Sequence, residues 1–218
     1  MKWMIASDLH GSAYYTRLLL EAMDREQPDR LLLLGDLLYH GPRNDLPRDY
    51  APKEVIALLN PLAGRVFCVR GNCEAEVDQM VLEFPVLADY CLIPAGQRMI
   101  YVTHGHVWTE DRPPRLSPGD ILLTGHTHIP KCADHGSYVY LNPGSVSIPK
   151  DGSWHGYMIW EETGFVWKDL EGVERLRWSP AYGGYSDKNT HKTDALPMQR
   201  VPACRKSLFA TLGGFSNF

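Results

Sequence analysis

The sequence predicts a mixed, layered α/β domain with two β-sheets. Two patterns along the chain carry that prediction. Helices alternate with short apolar strands in the first half, and strands set apart by Gly/Pro/Asp turns fill the second. A third observation is compositional: 218 residues favour one domain, or one plus an appendage, and 44 % apolar with 22 % charged residues is a globular composition. A core of that size needs neither a disulfide nor a structural metal to hold it.

Taken in order, Lys2–Ala6 is a mostly apolar run ending in Ser-Asp-Leu-His-Gly, which reads as a buried strand entering a loop. Ser12–Glu26 carries Leu19, Leu20 and Met23 at helical spacing and stops before Pro28. Arg30–Leu34 is a second buried strand, broken by Gly35-Asp36. Lys53–Leu59 is a helix after Pro52, and Arg65–Arg70 is a third strand closed by Gly71-Asn72. Glu74–Phe84 is a helix ending before Pro85. Strands are then predicted at Arg98–Thr103, Asp120–Thr124, Tyr138–Leu141, Gly156–Trp160 and Phe165–Leu170. The domain therefore spans residues 1–178. From 179 to 218 the chain is Gly/Ser/Asn/Lys-rich and follows no period of 2 or 3.6. Five Lys/Arg against two acids give that tail a net +3, which leaves −7 of the overall −4 to the domain. A basic, weakly docked or disordered appendage is expected there.

The composition also excludes several functions. A net charge of −4 gives no footing for general nucleic-acid binding, which depends on Lys/Arg neutralising phosphates. No apolar run approaches the roughly 18–20 residues that span a bilayer, and the first residues are too quickly interrupted by charge for a signal peptide. Cys68, Cys73, Cys91, Cys132 and Cys204 are odd in number and form no C-x-x-C pair, as expected of reduced thiols in a cytoplasmic protein. The Trp and Tyr residues of 138–178 lack interleaved Lys/Arg, so they read as core rather than a base-stacking platform. His135, His155 and His191 stand outside any motif and read as surface residues.

One feature repeats down the chain. Predicted strands end in a small residue followed by a metal-type ligand: Asp8 and His10, then Asp36, Asn72, His104, and finally His126 and His128. Loops at strand ends are where α/β folds gather functional groups. Imidazole and carboxylate suit Zn, Mn, Fe or Ni, and seven ligands with one carboxylate shared serve two ions with about four each. Taken singly, each Asp or Asn here is an ordinary turn residue. The order of the blocks makes the difference.

In that order, Asp8-Leu9-His10, Gly35-Asp36, Gly71-Asn72-Cys73-Glu74, His104-Gly105-His106 and Gly125-His126-Thr127-His128 resemble the metallophosphoesterase (calcineurin-like phosphoesterase) family over residues 1 to about 178. The loop His40-Gly41-Pro42-Arg43-Asn44, the cysteine at 73 and Asn142-Pro143-Gly144-Ser145-Val146-Ser147 are similar to the short bacterial YfcE-like phosphodiesterase branch. The resemblance implies a four-layer αββα sandwich. It implies that Asp8, His10, Asp36 and His128 bind one divalent ion, while Asp36 as the bridge, Asn72, His104 and His126 bind a second. Mn²⁺ is the expected working ion, with Zn²⁺, Fe or Ni²⁺ compatible. The implied reaction is hydrolysis of a small-molecule phosphodiester by a hydroxide bridging two ions about 3.5–4 Å apart.

Around that centre, Arg43 offers a fork for phosphate oxygens, His40 a proton, and His106 a contact that orients a ligand or simply an exposed ring. Cys73 departs from the wider family, which has a His after the Asn to protonate the leaving oxygen. A thiol of ordinary pKa near 8.5 is a poorer donor, so Cys73, His40 or a water takes that role, or Cys73 is only a small buried residue. A phosphomonoesterase or protein phosphatase, or a non-catalytic scaffold on the same fold, are the competing functions. A homodimer or homotetramer is compatible with the family.

Overall fold

Among residues 1–179, which the computed structural model describes, apolar runs bounded by turns form two mixed sheets packed face to face. Chain order is β1 (Trp3–Ala6), α1 (Ala13–Glu26), β2 (Arg30–Leu33), α2 (Pro52–Leu59), a 3₁₀ segment (Asn60–Arg65), β3 (Val66–Cys68) and α3 (Glu76–Val81). Then follow β4 (Tyr90–Ala95), β5 (Arg98–Thr103), β6 (Asp120–Leu123), β7 (Pro130–Asp134), β8 (Tyr138–Pro143), β9 (Gly156–Glu161), β10 (Gly164–Asp169) and β11 (Glu174–Trp178). The first sheet runs β11-β10-β9-β1-β2-β3 and the second β4-β5-β6-β8-β7. The basic stretch lies, from residue 180 onward, outside the described residues.

Period-two alternation explains the layers. In β1 and β2, Met4, Ala6, Leu31 and Leu33 face α1 and α2, where Leu19, Ala22, Met23, Val55 and Leu59 close the packing. Their neighbours Trp3, Ile5 and Leu32 face the second sheet, meeting Ile100, Val102, Ile121, Leu123, Val139 and Leu141. Both faces are buried, so these strands read as unbroken apolar runs. On the outer face of the second sheet a smaller cluster, Leu122, Ala133, Tyr138 and Tyr140, is covered by Leu116 of the β5–β6 loop. α1 and α2 thus flank the first sheet.

Local chemistry sets the ends of α1. Ser12 accepts from the Tyr15 amide at its start, and Gln27, in a left-handed conformation at φ 50°, ends it by donating to the Met23 carbonyl. The third helix is shorter than the predicted 74–84. Asp78 accepts from the Ala75 amide, which fixes the start. The Gln79 side chain bonds Leu82 O, Phe84 O and Val86 N, holding the following residues extended. β4, β7 and β11 are strands that the sequence did not announce. Each is a sheet edge, and β4 and β7 carry a proline while β11 is Glu-Arg-Leu-Arg-Trp. Those are the edge-protecting residues that blur an apolar alternation.

The topology places the chemistry. β1, β2 and β3 are parallel, with Ala6 beside Leu33 and Leu33 beside Cys68, so their C-terminal ends share one rim. β5 and β6 are also parallel, with Val102 beside Leu123. The loops that leave these ends hold every residue of the metal-type pattern.

Candidate metal centre

Close approach between loops comes first. The Asp8, His10 and Gly11 amides donate to the carbonyls of Gly35, Asp36 and Leu37 at 3.1, 2.9 and 2.8 Å, stitching the β1 loop to the β2 loop. Two glycines permit the next layer of contact. A Cβ on Gly71 would overlap Asp36 Oδ1, and one on Gly125 would overlap Ser7 Oγ. The His126 amide then donates to Asp8 Oδ2 at 3.0 Å, joining the loops of the two sheets.

These constraints bring six of the predicted ligands into two groups. Asp8, His10 and His128 form one, Asp36, His104 and His126 the other, each with its ligand atoms within 4.8 Å of one another. His128 Nε2 lies 3.1 Å and His10 Nε2 3.5 Å from Asp8 Oδ1. Asp36 Oδ2 sits 3.4 Å from His104 Nε2 and 3.7 Å from His10 Nε2, so one oxygen faces both groups. Asn72 joins the second group through Oδ1, 3.2 Å from His104 Nε2, and His126 through Nδ1 at 3.2 Å from the same atom.

Each inward atom is set by what the outer side of the ring does. Nδ1 of His10, His104 and His128 faces the carbonyls of Tyr39, Leu34 and Ile148 at 2.8, 2.6 and 2.7 Å. An N–H there leaves Nε2 as the lone pair turned inward, the tautomer a metal needs. Asp8 shows the same division. Its Oδ2 accepts from Ser7 Oγ and the His126 amide, whereas Oδ1 is buried and has no hydrogen-bond partner. An orphaned carboxylate oxygen facing two imidazole lone pairs fits a cation.

The backbone is strained at the same places. Asp8, His10, Asp36, His126 and His128 have φ of 60°, 47°, 56°, 65° and 63°, left-handed values that cost a non-glycine residue of order 1–3 kcal/mol each. Charge is equally concentrated. Burial works to raise Asp8, but the His10 and His128 rings hold it well below the usual carboxylate range. Burial would lower His104, but the Asp36 carboxylate, with Asp8 behind it, raises it to about 9. Burial and the neighbouring His104 push His126 down to about 4. Burial would lower His10 too, but Asp8 raises it; without a metal, His104 holds a proton at neutral pH.

Other predicted residues fare differently. Cys73 lies within reach of His10 and Asp36, and burial together with the Asp36 charge pushes its thiol well up, so it is protonated. Asp36, Arg43, Asn72, Cys73, His126 and His128 line an open cleft of about 430 Å³. His106 is exposed, its ring 5.4 Å from that of His104 and 6.2 Å from that of His126, and burial and the His104 charge lower it. His40 is not brought to the cleft wall. Its ring stands edge-on between Tyr39 and Tyr50 at 4.7 and 5.3 Å, with Nδ1 buried and unpartnered. His155, expected at the surface, stacks on Tyr15 at 4.0 Å and faces the Val146 carbonyl through Nδ1.

The residues that brace the centre had no assigned role in the sequence. Buried Glu74 accepts from the amides of Asp36, Leu37 and Gly71 at 2.9, 2.7 and 2.5 Å, tying the β2 loop to the β3 loop. Ser145 and Ser147 both donate to the Asp8 carbonyl, and Asn142 donates to the Gly125 carbonyl at 2.7 Å. Both segments belong to motifs visible in the sequence, but their partners are backbone groups that no residue pattern announces.

A family model described as the calcineurin-like phosphoesterase superfamily domain matches residues 1–164. The chain belongs to that superfamily. Among its curated relatives, Phosphodiesterase YfcE of Escherichia coli K12 is 46 % identical over 153 residues, covering 70 % of this chain and 83 % of YfcE. The probable metallophosphoesterase YsnB of Bacillus subtilis is 26 % identical over 167 residues, 73 % of this chain and 83 % of YsnB. The solved structure of YfcE, a phosphoesterase from E. coli, superposes with TM-score 0.79 at 40 % identity, covering 82 % of this chain and 99 % of that one. Entamoeba histolytica Vps29 in complex with Zn²⁺ shares the superfamily fold, with TM-score 0.54 at 22 % identity over 82 % of this chain and 99 % of that one.

Proposed function

We propose that this superfamily member is a metal-dependent phosphodiesterase acting through two divalent ions. Asp8, His10, Asp36 and His128 would hold one ion, and Asp36, Asn72, His104 and His126 the other. The observation that carries the assignment is the pairing of the two groups about Asp36 Oδ2, opposite the orphaned Asp8 Oδ1. The 46 % identity to Phosphodiesterase YfcE supports the diester class. Bound there, two divalent ions supply a water-derived nucleophile at neutral pH and neutralise the phosphoryl charge during in-line displacement.

The chain's own groups do the rest. Carbonyl-anchored histidines keep their lone pairs aimed without reorganisation, as electrostatic preorganisation requires. Asn72, half in the cleft, turns Oδ1 toward His104 and donates through Nδ2 to Cys73 Sγ at 3.3 Å. Cys73, protonated and lining the cleft, is the side chain we assign to protonate the leaving oxygen, since His40 is not among the residues that line it. Arg43 lines the opening, where a guanidinium can fork onto a phosphate group of the substrate. Mn²⁺ is the working ion in this account, and free Cys68, Cys73 and Cys91 accord with a cytoplasmic setting.

Initial rates on bis(p-nitrophenyl) phosphate and p-nitrophenyl phosphate, with Mn²⁺ and after chelation, test the proposal. Diester turnover that vanishes with chelator and exceeds monoester turnover is expected. Faster monoester hydrolysis would make the enzyme a phosphomonoesterase, and no turnover of either would leave a scaffold.

A further inference from the structure

Among the described residues, most cations are spoken for. Lys2 and Lys168 pair with Glu26, Arg17 with Asp49 and Glu54, Lys131 with Glu110, Arg175 with Asp169 and Arg177 with Glu174. Among the described residues, the side chains of Arg43, Lys53, Arg115 and Lys150 make no ion pair, hydrogen bond or ring contact. Two of those, Arg43 and Lys150, line the cleft in front of the candidate metal centre. They reach it from different segments, the β2–α2 loop and the β8–β9 loop. Among the described residues, the only carboxylate lining that cleft, Asp36, is already engaged with His104 and the Cys73 amide.

Both positions are held by backbone rather than left to drift. The Lys150 amide donates to the carbonyl of His128 at 3.2 Å, and its own carbonyl accepts from the Ser153 amide at 3.0 Å and Ser153 Oγ at 2.6 Å. Lys150 is therefore fixed directly to the loop that presents a predicted ligand. On the other side, the Asn44 amide donates to the Gly41 carbonyl at 3.2 Å and Asn44 Nδ2 to the His40 carbonyl at 2.8 Å, closing the turn that carries Arg43.

Two unpaired cations beside a phosphoryl site are more than one phosphodiester monoanion uses when its charge is already met by a metal pair. We infer that Arg43 and Lys150 form a second anion subsite, and that the preferred substrates are phosphodiesters with a further negative charge on one ester substituent. Lys150 is the specificity-determining residue of the pair. The inference rests on the phosphodiesterase assignment and adds the substrate class to it.

The test compares the dinucleotide TpT with its 5′-phosphorylated form pTpT, both scored as kcat/KM in Mn²⁺, with bis(p-nitrophenyl) phosphate as the reference diester. Wild-type enzyme should prefer pTpT, and Lys150→Gln should cut the pTpT/TpT ratio about fivefold, the scale of one exposed charge pair. The loss should lie in KM, and the wild-type preference should shrink as salt rises from 0.05 to 0.5 M on this design, because exposed charges are screened. Lys53→Gln removes an equal charge on α2, outside the cleft, and should keep the wild-type ratio. A ratio near one, or a preference that survives both Lys150→Gln and Arg43→Gln, overturns the subsite while leaving the phosphodiesterase assignment standing. Failure to hydrolyse any of the three diesters overturns both.

Discussion

Asp8, His10, Asp36, His126 and His128 accept a left-handed backbone that turns elsewhere usually reserve for glycine. Strain of this kind persists only where surrounding contacts over-determine it, and here the surrounding contacts are the loop-to-loop amides and the Ser145 and Ser147 hydroxyls. The ligands were legible in the sequence because each is a polar residue at the end of an apolar run. Their bracing was not, since Glu74 and Asn142 act on backbone groups far away in the chain. Cys73 is where residue identity bears most directly on chemistry. Cys73→His should raise kcat on alkyl phosphodiesters at least tenfold relative to aryl ones, because an imidazole is the better general acid for a poor leaving group. Mn²⁺ binding should survive the change. Equal scaling on both ester types would show that position 73 takes no part in leaving-group protonation.

At the scale of elements, the central strands and the β3 edge were readable, and the other three edges were not. β1, β2 and β6 are buried on both faces and stand out as apolar runs. β4, β7 and β11 carry the prolines and charges that keep a sheet edge from pairing further, which hides them from a search for alternation. The same reasoning explains α3. Its predicted first turn is spent on Glu74, whose carboxylate is drawn inward to three amides instead of capping a helix. Glu74 is thus the clasp between the β2 and β3 loops. Glu74→Gln keeps the shape but turns one acceptor into a donor facing an amide, and should cost about 1–3 kcal/mol. For a domain of this size that lowers Tm by roughly 2–12 °C, and Mn²⁺ affinity should fall with it. A variant that melts like wild type and loads Mn²⁺ normally would remove Glu74 from the account.

For the whole molecule, two sheets meeting at one rim concentrate charge that a cation must balance. The sign of the pH dependence follows. His104 is raised from 6.5 to about 9, so in the metal-free chain its stabilisation is full below pH 6.5 and disappears as pH climbs through about 9. Asp8 is lowered from 3.8, so its contribution is present above that value and lost as pH falls toward the folded-state pKa. The melting temperature of the chelated protein should therefore be highest, as far as this cluster decides it, between about pH 4 and 6.5. Loading a metal reverses the preference, because His104 must give up its proton to become a ligand. Mn²⁺ affinity should rise with pH up to about 9, with proton release at pH 7 seen by calorimetry in buffers of different ionisation heat. Uptake without proton release would contradict the protonation assigned to His104.

The central claim is that residues from Asp8 to His128 form one cage for two cations. Anomalous diffraction from crystals loaded with Mn²⁺ tests it most directly. The account predicts two peaks per chain, one touching Asp8, His10 and His128, the other Asn72, His104 and His126, with Asp36 contacting both. A single peak, or two that do not share Asp36, would contradict it.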